Sequence, residues 1–209
     1  MEFKTTTKLF RGIYQYKIVL VCAGAHWFRN GNWDNALENL KKVDLSSRIP
    51  SYHMSRTIKT QDELDYAFKL HNILATLSDI DVRVEAPWIS VYTNTKANID
   101  MLISADESKV KYVSLPSSNI CLDANTIVMP KIDFEFKVTL AKTTHNHASF
   151  IEWAQQNSKV RLTKSCIKAL ERPRSWGGTH FYITGEKNLL LARMHLGGGI
   201  GKVERIVKA

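Results

Sequence analysis

The chain has 209 residues, which is enough for one large domain or for two domains of about 100 residues each. Hydrophobic residues make up 44% of the sequence, which is ordinary for a globular protein and predicts a real core. The longest apolar run, residues 18–25, is far shorter than the roughly 20 residues of a membrane span, which excludes a transmembrane helix. The formal net charge of +9 favours nucleic acid, an anionic membrane surface or an acidic protein as partner; a generic basic surface is the alternative.

Cysteine usage and the N-terminal sequence predict a cytoplasmic protein. Cys22, Cys121 and Cys166 are far apart, odd in number and without a CxxC motif, so we expect reduced and buried side chains. Residues 1–7 contain no apolar segment of the kind that begins a signal peptide. We therefore expect the host cytoplasm, or a virion if the protein is phage-encoded.

The first half of the chain predicts a series of strands and helices. Residues 14–22 are rich in β-branched and aromatic side chains and predict a central strand. Thr60 and Glu63 form a capping box that predicts the start of an amphipathic helix. An aromatic loop and a short helix at 34–42 lie between these elements, so residues near 24–58 form an insertion. The other predicted elements are strands at 82–85 and 89–92, a helix through 99–103 and a closing strand at 110–115.

The same order of elements returns in the second half. Residues 136–140 match residues 16–20 position by position. Ser149 and Glu152 form a second capping box. An internal duplication is also indicated by identical residues at an offset of 91 positions, which are Thr93 and Thr184, Lys96 and Lys187, Arg83 and Arg174, and Lys111 and Lys202. The other predicted elements are an ambiguous segment at 163–171, a strand at 180–184, a helix at 189–196 and a closing strand at 200–207.

The order β-α-β-β-α-β, found twice, is that of the ferredoxin-like fold, in which two helices cover one face of a four-stranded antiparallel sheet. The sequence therefore predicts an α+β protein with two tandem ferredoxin-like halves and antiparallel sheets. Residues 1–116 form the N-terminal half with its insertion, residues 117–130 form a packed linker, and residues 131–209 form the C-terminal half with a glycine-rich loop.

The glycine-rich loop at 197–201 is a candidate ligand site. It does not fit a P-loop, because the required first glycine and the Ser or Thr are missing and the loop joins a helix to a strand. Its glycine backbone would let a polyanion approach closely, with Lys202 and Arg205 beside it. The alternative is a helix C-cap followed by a tight turn. The first half has an acidic sequence at the corresponding place, residues 105–108.

Two ferredoxin-like halves with a glycine-rich loop between the last helix and the last strand resemble the RAMP superfamily, the CRISPR repeat-processing endoribonucleases and their non-catalytic relatives. The architectural resemblance covers most of the chain, although the glycine cluster is shorter than the loop of that family. The resemblance implies RNA as ligand and a catalytic histidine soon after the first strand, where His26 stands. His26 would then be a general acid or base for attack by the 2′-OH; the alternative is a structural histidine. Small, basic, two-copy proteins of this kind also resemble phage-encoded accessory proteins.

Basic and aromatic residues supply the candidate nucleic-acid contacts. In RNA-binding ferredoxin-like sheets, exposed aromatic rings stack on bases while Lys and Arg hold phosphates. The octapeptide of an RRM is missing, so we expect binding in a basic groove between the halves instead of on a sheet face. The candidate nucleic-acid-binding residues are Lys17, Arg29, Lys137, Arg174, Lys187, Gly198, Gly199, Gly201, Lys202 and Arg205. The candidate interface or base-stacking residues are Trp27, Phe28 and Trp33.

The sequence predicts no metal and no cofactor. His145 and His147 are at most half of a metal site, because no further ligand stands near them. Common hydrolase and metal-nuclease motifs are absent from the sequence. These features favour a non-catalytic protein that binds RNA or single strands, instead of duplex DNA, together with other protein subunits. The alternatives are a metal-independent endoribonuclease that uses His26, and a viral structural or assembly protein.

Overall fold

The architecture is α+β, with two five-stranded sheets that each carry helices on one face. The computed structural model describes residues 1–46, 57–117, 122–143, 145–172 and 174–208. Residues 47–56 of the predicted insertion and Cys121 lie outside the described residues. The chain folds into two compact units, Met1–Ile120 and Cys121–Ala209. The predicted α+β class with two ferredoxin-like halves is confirmed.

The first unit begins with one additional strand and then follows the ferredoxin-like order. Its elements are β1 (Glu2–Thr6), β2 (Tyr16–Val21), a 3₁₀ helix (Ala25–Gly31), α1 (Trp33–Lys41), α2 (Gln61–Thr76), β3 (Ile80–Glu85), β4 (Trp88–Thr93), α3 (Lys96–Ala105), a 3₁₀ turn (Glu107–Lys109) and β5 (Val110–Pro116). The strands lie in the order β1-β5-β2-β4-β3, and all neighbours are antiparallel except β1 and β5.

The second unit repeats this arrangement. Its elements are β6 (Thr126–Val128), β7 (Phe136–Leu140), α4 (Ala148–Gln155), β8 (Val160–Leu162), α5 (Lys164–Leu170), β9 (His180–Ile183), α6 (Glu186–Leu196), a 3₁₀ turn (Gly197–Gly199) and β10 (Ile200–Val207). The strand order β6-β10-β7-β9-β8 is the same as in the first unit. Across both units, the described helices are too short or too polar to cross a membrane.

Each unit contains an outer strand that the sequence did not predict. β1 pairs in parallel with β5, and β6 pairs in parallel with β10, so a fifth strand covers the edge of each closing strand. Four of the five residues of β1 are exposed, and β6 is only three residues long. A short or polar edge strand carries little hydrophobic pattern, and its partner is far away in the sequence. β6 also gives a structural role to part of the segment predicted as a linker.

The strand registers align β2 with β7 at an offset of 120 residues, and β4 with β9 and β5 with β10 at an offset of 90 residues. Val19 is opposite Tyr112 in the first unit, and the matching Thr139 is opposite Lys202 in the second. Lys202 therefore corresponds to Tyr112, and the predicted match between Lys111 and Lys202 is wrong by one position. A slip of one residue moves a strand side chain to the other face of the sheet, so this correction decides which residues share a surface.

A β-bulge interrupts each closing strand at the same place. The register skips Lys111 in β5 and Gly201 in β10, so neither residue has a direct partner in the ladder. Nζ of Lys111 lies 3.7 Å from the ring centroid of Trp88. A Cβ at Gly201 would lie 3.2 Å from the backbone nitrogen of Ala141, so the second unit uses the bulge for close backbone packing.

The core of the first unit lies between the sheet and the helices. The capping box of α2 is confirmed: the Thr60 hydroxyl accepts a hydrogen bond from the Glu63 N–H at 3.2 Å, and the Glu63 carboxylate accepts one from the Thr60 N–H at 3.3 Å. This cap begins a helix whose apolar face packs on the sheet. The largest fully buried side chains of this unit are Phe28, Ile18, Leu20, Leu40, Ile58, Leu70, Leu74, Ile89, Ile99 and Leu102.

The core of the second unit is built around two aromatic rings. Phe150 and Phe181 are fully buried, and their ring centroids lie 5.3 Å apart. α4 has His147 as its N-cap, and no side chain caps it. Ser149 therefore lies inside the first turn, and the capping box predicted from Ser149 and Glu152 is wrong. The helix starts two residues earlier than its sequence signal indicates.

Cys22 and Cys166 are buried free thiols, as expected. Burial raises the pKa of each to about 12. A thiol with this pKa is protonated near neutral pH and is a poor nucleophile, so both cysteines act as small apolar core residues.

A short extension of the β7–β9 pair fixes the segment before β9. Thr143 and Ser175 exchange both backbone hydrogen bonds, at 2.9 and 3.1 Å. Gly177 has a φ of +78°, and a Cβ there would lie 2.6 Å from the carbonyl carbon of Ala141, so only glycine fits. Trp176, between Ser175 and Gly177, is therefore held by backbone contacts on both sides.

The confirmed and the rejected capping boxes predict different effects of the same kind of substitution. Thr60→Ala should lower the free energy of unfolding by about 1 kcal/mol, because an N–H of the first turn of α2 loses its partner. Ser149→Ala should change it by less than about 0.5 kcal/mol, because Ser149 caps nothing. Urea unfolding followed by circular dichroism measures both; equal effects would contradict the assignment of the caps.

Gly177 and Gly178 form a second matched pair. Both have positive φ, at +78° and +82°, but a Cβ at Gly178 would meet no atom within 4 Å. Gly178→Ala should cost about 1–2 kcal/mol of backbone strain. Gly177→Ala should cost about 1–3 kcal/mol more, because its methyl group overlaps the backbone of Ala141. Urea unfolding again provides the measurement, and a Gly177→Ala variant as stable as Gly178→Ala would show that the contact is not tight.

Candidate nucleic-acid interface

The glycine loop joins α6 to β10 in the second unit. Gly197 ends α6 with a φ of +52°, so the C-cap interpretation holds for this residue. Gly198 is exposed, and a Cβ there would meet no atom within 4 Å. Gly199 is buried, and its carbonyl accepts a hydrogen bond from the Ala141 N–H at 2.8 Å. The loop is thus anchored at Gly199 and open to an approaching ligand at Gly198.

Two clefts flank the glycine loop, and basic side chains line both. The Arg193 cleft, of about 450 Å³, is lined by Asn125, Arg193, Gly197, Ile200, Gly201, Lys202 and Val203. The His147 cleft, of about 230 Å³, is lined by Lys142, Thr143, His145, His147, Leu196, Gly198 and Gly199. These lining residues include no aspartate or glutamate. A backbone loop without side chains between two basic clefts is suited to bind an anion.

Lys202 and Arg205 lie on opposite faces of β10. Lys202 and Glu204 lie on the face of the sheet that is opposite the helices, here called the open face. Arg205 lies on the helix side, where it is opposite the core residue Phe136. Nζ of Lys202 lies 2.8 Å from Oε1 of Glu204, whose side chain is almost completely buried. Lys202 thus lines the Arg193 cleft with its charge partly balanced, and the expectation that Lys202 and Arg205 lie together beside the loop is corrected.

His147 and Thr143 both line the His147 cleft, and each carries a buried polar atom without a partner in the described part of the chain. His147 is 5% exposed and Thr143 is 4% exposed, and neither Nε2 of His147 nor Oγ1 of Thr143 has a hydrogen-bond partner within the described ranges. The pKa of His147 is lowered, first by burial and then by the neighbouring His145, while a hydrogen bond with the backbone of His195 opposes this shift. His147 is therefore neutral at neutral pH. The sequence spacing of His145 and His147 indicated only half of a metal site.

Trp176 is the most exposed aromatic residue in the described ranges. Its side chain is 90% exposed, and Nζ of Lys142 lies 5.0 Å from its ring centroid. Because Lys142 also lines the His147 cleft, the indole stands at the edge of that cleft. The sequence pattern did not predict a functional role for Trp176. The sequence feature that could have indicated an exposed indole is the position of Trp176 immediately before Gly177 and Gly178, outside any helical or strand pattern of apolar residues.

The aromatic rings at the centre of the two open sheet faces are covered. Tyr92 and Tyr182 are each 6% exposed. The ring centroids of Phe10 and Tyr14 lie 5.7 and 6.4 Å from that of Tyr92, and the centroid of Phe134 lies 6.0 Å from that of Tyr182. Residues of the same chain therefore already occupy the surfaces on which bases would stack.

Lys17 and Lys137 occupy equivalent positions on these open faces. Lys17 is opposite Tyr92, and Lys137 is opposite Tyr182. Nζ of Lys17 lies 5.5 Å from the ring centroid of Tyr92 and 5.3 Å from that of Tyr112, so its cation interacts with aromatic rings of its own unit. Neither lysine lines a cleft beside the glycine loop.

The aromatic insertion packs on the core of the first unit. Phe28 is fully buried, which corrects the expectation that it stacks on a base or a partner. Trp27 and Trp33 are partly buried against the same core, and the Trp33 carbonyl lies 2.9 Å from Nε2 of the buried His71. His26 is exposed on the 3₁₀ helix, with its ring centroid 4.9 Å from that of Trp27.

The remaining predicted basic residues are spread over both units. Arg29 lines a cleft of about 420 Å³ in the first unit, together with Arg11 and Arg83. Arg11 is paired with Asp81, and Arg83 with Glu85, so much of the charge of this cleft is balanced.

Lys187 and Arg174 are both exposed, but they relate differently to the glycine loop. Lys187 lies in the first turn of α6, about 15 Å along the helix axis from the loop at its other end. Arg174 directly precedes Ser175, which pairs with Thr143 beside the His147 cleft. The structure therefore brings Arg174 into the region of Trp176 and leaves Lys187 apart.

The described residues contain no group of three or more His, Cys, Asp or Glu side chains that could hold a metal ion. His145 and His147 are close, with ring centroids 4.6 Å apart, but the other polar lining of their cleft is Lys142 and Thr143. A lysine beside the histidines disfavours a cation and favours an anion.

Comparisons with known proteins leave the resemblance to the RAMP superfamily as a prediction. The tandem ferredoxin-like arrangement and the basic surroundings of the glycine loop are properties of this chain itself. No protein-family model, no curated protein and no solved structure matches the chain.

Proposed function

We propose that the protein binds single-stranded nucleic acid, RNA in particular, as a non-catalytic component of a larger complex. The observation that carries this proposal is the placement of Trp176. Its indole is 90% exposed and lies beside Lys142, at the edge of a cleft formed by the glycine loop. An exposed indole next to cations suits stacking on unpaired bases, which are available in single strands and in RNA loops but not in duplex DNA.

Basic side chains around the loop would bind the phosphates on either side of a stacked base. Lys142 lies in one cleft and Arg193 in the other, and neither has a carboxylate partner among the described residues. Within those residues only six ion pairs join a lysine or arginine to a carboxylate, so much of the positive charge is not balanced locally. Such charge attracts a polyanion and makes its binding sensitive to salt.

A protein partner is supported by an apolar stripe on α6. Leu190 is 59% exposed and Met194 is 73% exposed, and their spacing of four residues places them on one helical face. Exposed apolar side chains at this spacing suit docking against another subunit. The same stripe supports the alternative of a structural or assembly protein, in which the partner and not the nucleic acid would be the main ligand.

Trp176→Ala should weaken binding of a short single-stranded RNA by about 1–3 kcal/mol, the contribution of one base stacked on an aromatic ring. It should hardly change stability, because the side chain buries little surface. Trp88→Ala is the matched control, since Trp88 is also an exposed indole beside a lysine but lies in the first unit. Fluorescence anisotropy with labelled RNA, single-stranded DNA and duplex DNA gives the affinities.

Equal losses for Trp176→Ala and Trp88→Ala, or duplex binding as tight as RNA binding, would contradict this assignment. Running the same samples on a denaturing gel tests whether the RNA is cleaved. RNA cut by the wild type but not by His26→Ala would favour the endoribonuclease alternative.

Lys142→Gln and Arg193→Gln should each lower the slope of log affinity against log salt by about 0.7, because each removes one phosphate contact with a single strand. Lys42→Gln carries the same change in net charge and is the control, since Lys42 is paired with Glu38 on α1 at 3.7 Å. Anisotropy titrations at several salt concentrations measure the slopes. If all three variants behave alike, the attraction comes from net charge and not from the glycine loop.

A further inference from the structure

We propose that the His147 cleft is a binding site for a single phosphoryl group, carried by a nucleic-acid backbone or by a free phosphate compound. The inference deepens the proposed function, because it assigns one phosphate to one cleft. The site can also be tested without nucleic acid.

Two buried polar atoms of residues that line this cleft are unsatisfied. Nε2 of His147 and Oγ1 of Thr143 both belong to side chains that are at least nine-tenths buried, and neither atom has a hydrogen-bond partner among the described residues, although both residues line the same cleft. A buried polar atom without a partner is destabilising, so such atoms normally have a ligand or water to bind. Here two of them belong to residues that line one cleft, and a bound oxyanion would favour the protonated form of His147, in which Nε2–H donates to it together with the Thr143 hydroxyl.

Size and charge favour an oxyanion over a single water molecule. The cleft of about 230 Å³ is several times the roughly 30 Å³ that one water occupies in the liquid. Lys142 and His145 line it, no acidic side chain of the described residues does, and α4 begins next to it with no acidic residue in its first turn. The positive end of the helix and the lysine both stabilise negative charge.

Glycine at position 199 keeps this space open. A Cβ there would lie 3.7 Å from Nε2 of His147 and 3.5 Å from Cγ2 of Thr143, which is ordinary contact and not a clash. A side chain would therefore fit, and it would fill the space beside Nε2 of His147 and the methyl group of Thr143. The absence of one leaves room for a ligand.

The equivalent turn of the first unit shows what the second unit lacks. There, the Asp106 carboxylate accepts hydrogen bonds from the N–H and the hydroxyl of Ser108, at 2.9 and 2.7 Å. No side chain caps the turn Gly197–Gly199 in the second unit. The first unit thus supplies its own anionic oxygen at this turn, and an external oxyanion would take that role in the second.

The full chain is titrated with inorganic phosphate, and sodium chloride of equal ionic strength is the reference. Binding is measured from the thermal unfolding temperature and from the NMR shifts of Thr143, Gly198 and Gly199. Phosphate should raise Tm and shift these signals to saturation. Thr143→Val should weaken phosphate binding about tenfold, as for one lost hydrogen bond to a charged group. Without phosphate it should not lower Tm, because the hydroxyl has no partner to lose. Thr179→Val, which removes a buried hydroxyl outside the cleft, should bind phosphate as the wild type does.

Gly199→Ala provides a second variant. The protein should fold without strain, because the added methyl group meets its neighbours at ordinary contact distances. The methyl group should abolish phosphate binding, because it takes up space in the cleft. The inference is overturned if phosphate acts no differently from chloride, or if Thr143→Val and Gly199→Ala bind phosphate as tightly as the wild type.

A short single-stranded RNA then identifies the source of the phosphoryl group. Displacement of phosphate by the RNA supports a backbone phosphate, whereas phosphate binding that RNA does not disturb supports a free phosphate compound. Phosphate binding with no RNA binding would contradict the proposed function and leave the site intact. RNA binding that is indifferent to Thr143→Val, Gly199→Ala and phosphate would contradict the site and leave the function intact.

Discussion

The candidate interface depends on how closely two glycines approach the backbone of Ala141. On one side, a Cβ at Gly177 would lie 2.6 Å from its carbonyl carbon; on the other, a Cβ at Gly201 would lie 3.2 Å from its nitrogen. Ala141 also donates a hydrogen bond to the Gly199 carbonyl. This one residue thus holds the glycine loop and the segment of Trp176 at the end of β7. The exposed indole and the basic clefts are neighbours because the backbones of Gly177 and Gly201 contact the backbone of Ala141 with no side chain between them.

The two units share a framework and differ in what they leave open. In both, an aromatic ring from the segment before the second strand covers a central tyrosine, and a lysine lies opposite that tyrosine. These shared contacts stabilise the sheets and occupy the surface on which a ferredoxin-like domain could otherwise stack bases. The difference lies at the turn before the last strand, which contains an acidic cap in the first unit and glycine in the second. Ligand binding is therefore expected at the rim of the second sheet instead of on its face.

Sequence patterns predicted the parts of the structure that depend on local interactions. The capping box at Thr60 was confirmed, whereas the box of the same spacing at Ser149 was not, because α4 begins at Ala148 and Ser149 lies inside its first turn. Phe28 was wrongly expected at the surface, because only the folded chain shows that the aromatic loop turns onto the core. β1 and β6 were missed, since their partners are distant in sequence. Trp176 was missed because its exposure follows from the contact between Gly177 and Ala141. The glycine loop itself was found, but the groups around it come from other elements.

The bulge shared by β5 and β10 explains how two such similar sheets can specialise. A bulge residue stands outside the ladder, so its side chain can change without altering the pairing of its neighbours. The first unit has Lys111 there, and its ammonium group covers an indole; the second has Gly201, and the strand comes up against Ala141. The same bulge position therefore carries an exposed lysine in one copy of the fold and a close backbone contact in the other, while both sheets keep the same strand order.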